Sequence, residues 1–304
     1  MLLVLLITIL FLSPKPTHAL APDTIPLYYQ LLSAYRSPLA SSLVQSKASG
    51  SVLGLSTSST QTSPTPTPSP KITTPTPTQS PSSVGGNGQL TTIALLGDSM
   101  IDTLNLDHLQ SSLQQYFPNR KFEIFDYGVG SSDIEYALYR LKNDYRYQGQ
   151  LHQSLLSLKP DIIVIESFAY NNFGNTQDGF NRQWLALGAL TTEIKNNLPN
   201  TKILLASTIA PQSSHFANGS GTTYTAIEKI EKTSTIKLYL QKLNNFASSQ
   251  GFPLADAYTP SLDSQNQGLS ELISTSDHIH PSQLGSQFFS DILSQALQKE
   301  KLLD

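Results

Sequence analysis

The chain reads as an α/β protein built on a parallel sheet, and three observations carry that reading. Short apolar runs alternate with segments of helical periodicity from about residue 90 to the end. One run, Asp161-Ile162-Ile163-Val164-Ile165, is near-continuously apolar, as a central strand covered on both faces must be. Composition falls on the same boundary. Over 304 residues only 13% are charged and 38% hydrophobic, both below the usual ~25% and ~45–50% of a globular domain, so an uncharged polar segment dilutes an ordinary fold.

The elements follow in order. Thr92–Leu96 reads as a buried first strand, and Leu106, Leu109, Leu113 and Tyr116 give a helix face. Phe122–Phe125 is a second strand and Asp161–Ile165 a third. A helix spans roughly Phe180 to Asn197, Lys202–Ala206 is a fourth strand, and a helix runs near Thr225 to Ser249. A short fifth strand lies near Phe252–Ala255. The last helix is expected to begin at Pro281, with Leu284, Phe288, Ile292 and Ala296 on one stripe.

Before residue 90 the chain divides differently. Leu2 to Leu12 is apolar except for Thr8, too short for the ~20 residues of a spanning helix. Small residues follow at Ala19-Leu20-Ala21, so residues 1–21 read as an export signal cut after Ala19 or Ala21, the alternative being an uncleaved anchor. No Lys or Arg precedes the run. Residues 22–55 hold Leu27, Tyr28, Leu31, Leu32 and Tyr35 at near-helical spacing, ended by Arg36-Ser37-Pro38, a helix able to pack on the domain or lie on a membrane. Residues 56–89 form a linker. Of the 28 positions Ser56 to Ser83, 17 are Ser or Thr and 7 are Pro, which cannot bury enough apolar surface to offset ordering entropy. Such a stretch suits a tether and O-glycosylation.

Removing the first 88 residues, with four basic side chains and one acidic, leaves 15 basic and 21 acidic residues in 216, a net charge of −6. That is not the basic surface of a nucleic-acid binder. Cysteine is absent, which excludes disulfides, thiolate metal sites and a cysteine nucleophile. His108, His152 and His215 lack ligand spacing, so no metal and no cofactor is expected. An exported domain without disulfides depends on its core, here large enough to be expected to stand as a monomer.

In a parallel sheet ligands bind beyond the carboxyl ends of the strands, which directs attention to four loops. The first strand ends in Gly97-Asp98-Ser99, where a serine in a turn is placed as a nucleophile once a base is adjacent. The chain's other end carries Asp277-His278-Ile279-His280-Pro281. A carboxylate three residues before His280 can accept its ring N–H, fix the tautomer and stabilise the imidazolium; His278, one residue from Asp277, has less room for that bond. After the second strand Tyr127-Gly128-Val129-Gly130-Ser131 lets backbone approach a ligand closely, and after the third Asn171 places an amide beside it. Asp102 is expected to cap the first helix or bond near the pocket. Glu166, at the end of a buried strand, is expected to be structural and to need a partner such as a backbone N–H or Arg.

Together these four blocks resemble the SGNH/GDSL hydrolases, serine esterases and lipases of three-layer α/β/α architecture, over nearly all of residues 90–304. The resemblance implies a flavodoxin-like, mainly parallel five-stranded sheet. It makes Ser99 the nucleophile, His280 the general base and Asp277 its orienter. The oxyanion hole is implied at the N–H of Ser99, the N–H of Gly130 or Ser131, and Asn171. Two positions depart from the family pattern. Ser131 stands where the donor glycine aligns, and block three reads Ala169-Tyr170-Asn171-Asn172 rather than Gly-x-Asn-Asp. The implied activity is hydrolysis of carboxylic esters, O-acetyl or other acyl groups on glycans or lipids. Acyl transfer to an envelope polymer and a non-catalytic envelope-binding role are the alternatives.

Overall fold

The computed structural model describes residues 89–304. The readings of an export signal or anchor, of a helix within 22–55 and of the tether through residue 88 lie outside the described residues. Strands β1 (Leu90–Gly97), β2 (Lys121–Gly128), β5 (Ile162–Glu166), β6 (Lys202–Ser207) and β7 (Leu254–Asp256) form one sheet in the order β2-β1-β5-β6-β7. Every pairing is parallel. A separate antiparallel hairpin joins β3 (Tyr145–Tyr147) to β4 (Gln150–His152).

Alternation along each strand divides the core between two faces. Ala94, Leu96, Ile163, Ile165, Ile203 and Leu205 point to one side. There they meet α3 (Ile134–Lys142), α5 (Gln177–Asn197) and α6 (Ala226–Gln250). Ile93, Leu95, Ile162, Val164, Leu204 and Ala206 point to the other, against α2 (Leu106–Tyr116) and α7 (Gln283–Lys299). This is the three-layer arrangement, and the period-two side-chain direction of a strand produces it. All five residues of β5 are buried, as its apolar run requires.

The sequence reading of the last helix needs correction. Pro281 does not open it. Pro281 pairs instead across an isolated antiparallel bridge with Ile273, and Ser282 caps the helix by accepting the Gly285 N–H at 3.0 Å. The buried stripe is displaced by one residue to Phe289, Leu293, Ala296 and Leu297, leaving Leu284 50% exposed. The reason lies in small residues. A Cβ on Gly285 would sit 1.9 Å from the Leu272 carbonyl oxygen, so the helix approaches that segment on its glycine side. Ser290 and Ser294 return their hydroxyls to carbonyls one turn back at 2.8 and 3.0 Å, so neither is left unpaired by burial. Further elements escape the sequence reading, among them α3, the short helix α4 (Leu155–Leu158) and the β3–β4 hairpin.

Candidate active site

The carboxyl ends of β1, β2 and β5 converge with the 277–280 turn around one cavity of about 1010 Å³, lined among others by Ser99, Gly130, Ser131, Asn171 and His280. It lies beyond the strand ends, where a parallel sheet places ligands. Ser99 is the first residue of the short helix α1 (Ser99–Asp102). Asn105, not Asp102, caps the following helix α2, and Asp98 caps α1, its Oδ1 accepting the Met100 N–H at 2.9 Å. Its Oδ2 accepts from Asn171 Nδ2 at 2.8 Å, so the Ser99 turn and the Asn171 turn are tied together. Burial pushes the Asp98 carboxyl above its ordinary value, and these two hydrogen bonds counter part of the rise.

The other end of the site is a self-contained turn. Asp277 Oδ2 and His280 Nδ1 lie 2.8 Å apart. Oδ1 accepts the backbone N–H groups of Ile279 at 2.9 Å and His280 at 3.0 Å. Burial raises the Asp277 carboxyl, but the His280 ring and these two N–H groups outweigh it, and the net position is below the ordinary value. With Nδ1–H facing the carboxylate, Nε2 carries the lone pair. That Nε2 is buried and meets no hydrogen-bond partner among the described residues, in the cavity that Ser99 also lines. His278 turns away: its Nδ1 meets the Asn218 carbonyl at 2.9 Å and its ring stacks on His215 at 5.5 Å.

The two asparagines of block three separate cleanly. Asn172 spends its amide on its own loop, donating to the Ala169 carbonyl at 2.7 Å and accepting the Gly174 N–H at 2.9 Å. Asn171 donates one amide N–H to Asp98 and lines the cavity. In block two, Gly130 N–H donates to the Tyr147 hydroxyl at 3.0 Å, and that hydroxyl donates to Asp102 Oδ2 at 2.6 Å. Asp102 therefore serves beside the pocket rather than as a cap. Ser131 adopts φ 59°. Neither its N–H nor that of Ser99 meets an acceptor among the described residues.

Two buried charges support this ground. Arg140, fully buried, donates to the carbonyls of Tyr127 and Gly97 and, at 3.2 Å, to Ser132 Oγ. It thus holds the last residue of β1 and the penultimate residue of β2 from below. Glu166 accepts the Phe168 N–H at 2.8 Å and the Ser167 hydroxyl, so its partners are local donors, not an arginine. Burial first, and then the Asp98 charge, push its carboxyl well above the ordinary glutamate value.

Sequence reasoning missed Arg140, Tyr147 and the Asp98–Asn171 bond. Ile134, Ala137 and Leu141 recur at helical spacing and mark α3, but nothing in the spacing shows that Arg140 faces inward. Among the described residues no group of three or more His, Cys, Asp or Glu side chains is arranged to hold a metal ion. Among the same residues no helix is long and apolar enough to cross a membrane.

The profile of the GDSL-like Lipase/Acylhydrolase family matches residues 95–288. Among solved structures the chain is similar to a lipase/acylhydrolase from Enterococcus faecalis, at 17% identity and a TM-score of 0.48, covering 69% of this chain and 96% of that one. It is similar to a GDSL-like lipase from Bacteroides thetaiotaomicron, at 14% identity and 0.48, covering 69% and 89%. A gut microbial diltiazem-metabolizing enzyme shares 17% identity at a TM-score of 0.51, covering 71% of this chain and 48% of that one. This last likeness concerns the fold alone. No curated protein matches the chain.

Proposed function

Since the chain belongs to the GDSL-like lipase/acylhydrolase family, and so to the hydrolases of ester bonds, we propose that Ser99, His280 and Asp277 form its catalytic triad. His280 Nε2 takes the Ser99 hydroxyl proton as the oxygen attacks the ester carbonyl. The ring, charged for that moment, is held by Asp277 at 2.8 Å. The tetrahedral oxyanion receives the N–H of Ser99, a backbone N–H of the Gly130–Ser131 turn and the second amide N–H of Asn171. Each such donor contributes on the order of 10²–10³ in rate. Collapse expels the alcohol, which takes the proton back from His280, and leaves an acyl-enzyme on Ser99. Water attacks that ester with His280 again as base, releasing the acid.

The observation carrying this reading is the pairing of a carboxylate-bound imidazole with a buried, unpartnered Nε2 in the cavity of Ser99. Ser99→Ala is expected to abolish p-nitrophenyl acetate hydrolysis and labelling by a fluorophosphonate, a loss of at least ~10³-fold. Retained turnover in that variant would remove the assignment.

The alcohol side of the substrate is read as a polar one, such as a glycan hydroxyl. Away from Ser99 the cavity walls include Asn175, Thr222, Glu231 and Lys232, with Tyr224 and Phe216 as aromatic surface. Amides, hydroxyls and charges offer hydrogen bonds that a long hydrocarbon chain cannot use. Acetylated oligosaccharides are therefore expected to outpace acetate esters of long-chain alcohols, and the reverse order would overturn this. Export follows as a proposal from the apolar run at Leu2–Leu12, and fractionation of the producing cell tests it.

A further inference from the structure

We propose that Tyr147, reaching in from the β3–β4 hairpin, is a positioning residue that assigns the block-two oxyanion contact to Ser131 rather than Gly130. The inference rests on Ser99 being the acyl-transfer nucleophile.

A backbone N–H has one proton to give. That of Gly130 is spent on the Tyr147 hydroxyl at 3.0 Å, and the hydroxyl spends its own proton on Asp102 Oδ2 at 2.6 Å. The second bond has an ionised acceptor and is the stronger kind. It fixes the direction of the hydroxyl, so the lone pair faces Gly130. The next N–H along the chain, that of Ser131, has no acceptor among the described residues, and Ser131 lines the cavity beside Ser99.

Ser131 stands at φ 59°, a region that a residue with a Cβ enters only at a cost. Such strain persists only where the surroundings over-determine it. Here both neighbours are pinned. On one side Gly130 is bound to Tyr147. On the other, Ser132 reaches back to the Val129 carbonyl with its N–H at 3.3 Å and its hydroxyl at 2.7 Å. A Cβ on Gly130 would lie 3.1 Å from the Tyr147 hydroxyl and 3.4 Å from Asp102 Oδ2, so a side chain there would press on the relay.

The relay also joins two catalytic elements. Asp102 is the last residue of α1, the helix that Ser99 begins. Tyr147 therefore links the nucleophile's helix to the donor loop. The hairpin that carries Tyr147 is itself anchored. Tyr145 stacks on His152 at 4.9 Å, and Tyr127, next to Gly128, donates its hydroxyl to the Gln153 carbonyl at 3.0 Å. No proton leaves the relay during catalysis; it sets where an N–H points.

The test is steady-state hydrolysis of p-nitrophenyl acetate by the full chain, with Ser99→Ala run beside it. Tyr147→Phe removes both bonds with little change of shape. It is expected to lower kcat about 10-fold with KM within about twofold of wild type, because the misplaced donor acts mainly in the transition state. Asp102→Ala is expected to match it. Asp102→Asn, which keeps an acceptor for the hydroxyl, is expected to recover most of the kcat that Asp102→Ala loses. Tyr147→Phe combined with Asp102→Ala is expected to fall no further than either alone.

A role in folding alone would lower the melting temperature and leave kcat of the folded fraction intact, which overturns the proposal. So does wild-type kcat in Tyr147→Phe, a change confined to KM, or failure of Asp102→Asn to outperform Asp102→Ala. Should Tyr147→Phe not fold, Gly130→Ala crowds the same hydroxyl from the other side, and an unchanged kcat there is equally fatal. Turnover surviving in Ser99→Ala removes the catalytic reading and this proposal with it, whereas an inactive Ser99→Ala beside an unaffected Tyr147→Phe removes the relay alone.

Discussion

The two ends of the chain that meet in the site are held by different means. At the nucleophile end everything beneath Ser99 is buried. Asp98 and Arg140 are both 0% exposed, and their partners come from β1, β2, the Ser132 loop and the Asn171 loop. At the base end the Asp277 and His280 side chains are 24% and 25% exposed. Their mutual bonds close within the turn itself. The position of Ser99 is thus a property of the core, and that of His280 chiefly a property of a local turn, tied to its neighbourhood by the Ser274 N–H on the His280 carbonyl at 2.8 Å. Damage at the first end is expected to reach stability and activity together. Damage at the second is expected to reach activity alone.

The sharpest separation is expected from the histidines. His280→Ala should lower kcat/KM by about 10³–10⁴-fold with the melting temperature unchanged, since a general base is worth up to ~10⁴ and little packing is lost. His278→Asn, which suits the positive φ of 54° at that position, should leave turnover near wild type. Equal losses in the two variants would show that the turn does not discriminate between its histidines.

Next in size is the buried guanidinium. Arg140→Met takes the guanidinium away from the carbonyls of Tyr127 and Gly97 in a dry interior; Gly97 keeps the Val129 N–H at 3.2 Å, and a buried acceptor that loses its donor costs roughly 1–3 kcal/mol. A loss of about 3 kcal/mol is expected in chemical denaturation, with activity falling as well because both carbonyls lie at the strand ends that lead into the Ser99 and Gly130 turns. A stable, active Arg140→Met protein would dissolve the contrast between the two ends.

Asp277→Asn returns to the exposed end. About 10²-fold of turnover is expected to go, with stability at neutral pH changed by less than about 1 kcal/mol, as befits a pair open to solvent. The Asp277 carboxyl lies below its ordinary value, so any stability it contributes is present above that ordinary value. It is lost only as pH falls through the lower folded one. Denaturation midpoints of wild type and Asp277→Asn should therefore converge on the acid side and run parallel above it.

The same division explains what could be read from sequence. The base end was legible because its geometry is local: Asp277 and His280 at three-residue spacing before a proline already describe the turn. The strands were legible because β5 is apolar throughout and its burial is visible in every residue. The nucleophile's support was not legible, because Arg140, Tyr147 and Asp98 meet partners far away in sequence. The hairpin carrying Tyr147 turns through Gln148 and Gly149, both at positive φ. Such turns announce themselves as Asn-Gly or Asp-Gly, and Gln-Gly does not. The last helix misled for a related reason. Its close packing uses Gly285, Ser286, Ser290 and Ser294, which an apolar-stripe reading passes over.

The smallest expected effect lies again beneath the nucleophile, at Glu166, and its sign is opposite to that at Asp277. The folded carboxyl sits well above the ordinary glutamate value of about 4.3, chiefly through burial and then through the Asp98 charge. Between the two values the folded chain keeps a proton that the unfolded chain releases. Stability is then full below the ordinary value and declines as pH rises towards the folded one. Glu166→Gln cannot ionise. It keeps one acceptor for the Phe168 N–H and loses one of the two bonds the carboxyl accepts, a cost of about 1 kcal/mol at acid pH. As pH rises the wild type surrenders stability and the variant does not, so the gap between their urea midpoints should close as pH climbs above the ordinary glutamate value. Parallel midpoints above that value would mean that Glu166 ionises equally in both states, and that burial at this end of the site costs less than its geometry demands.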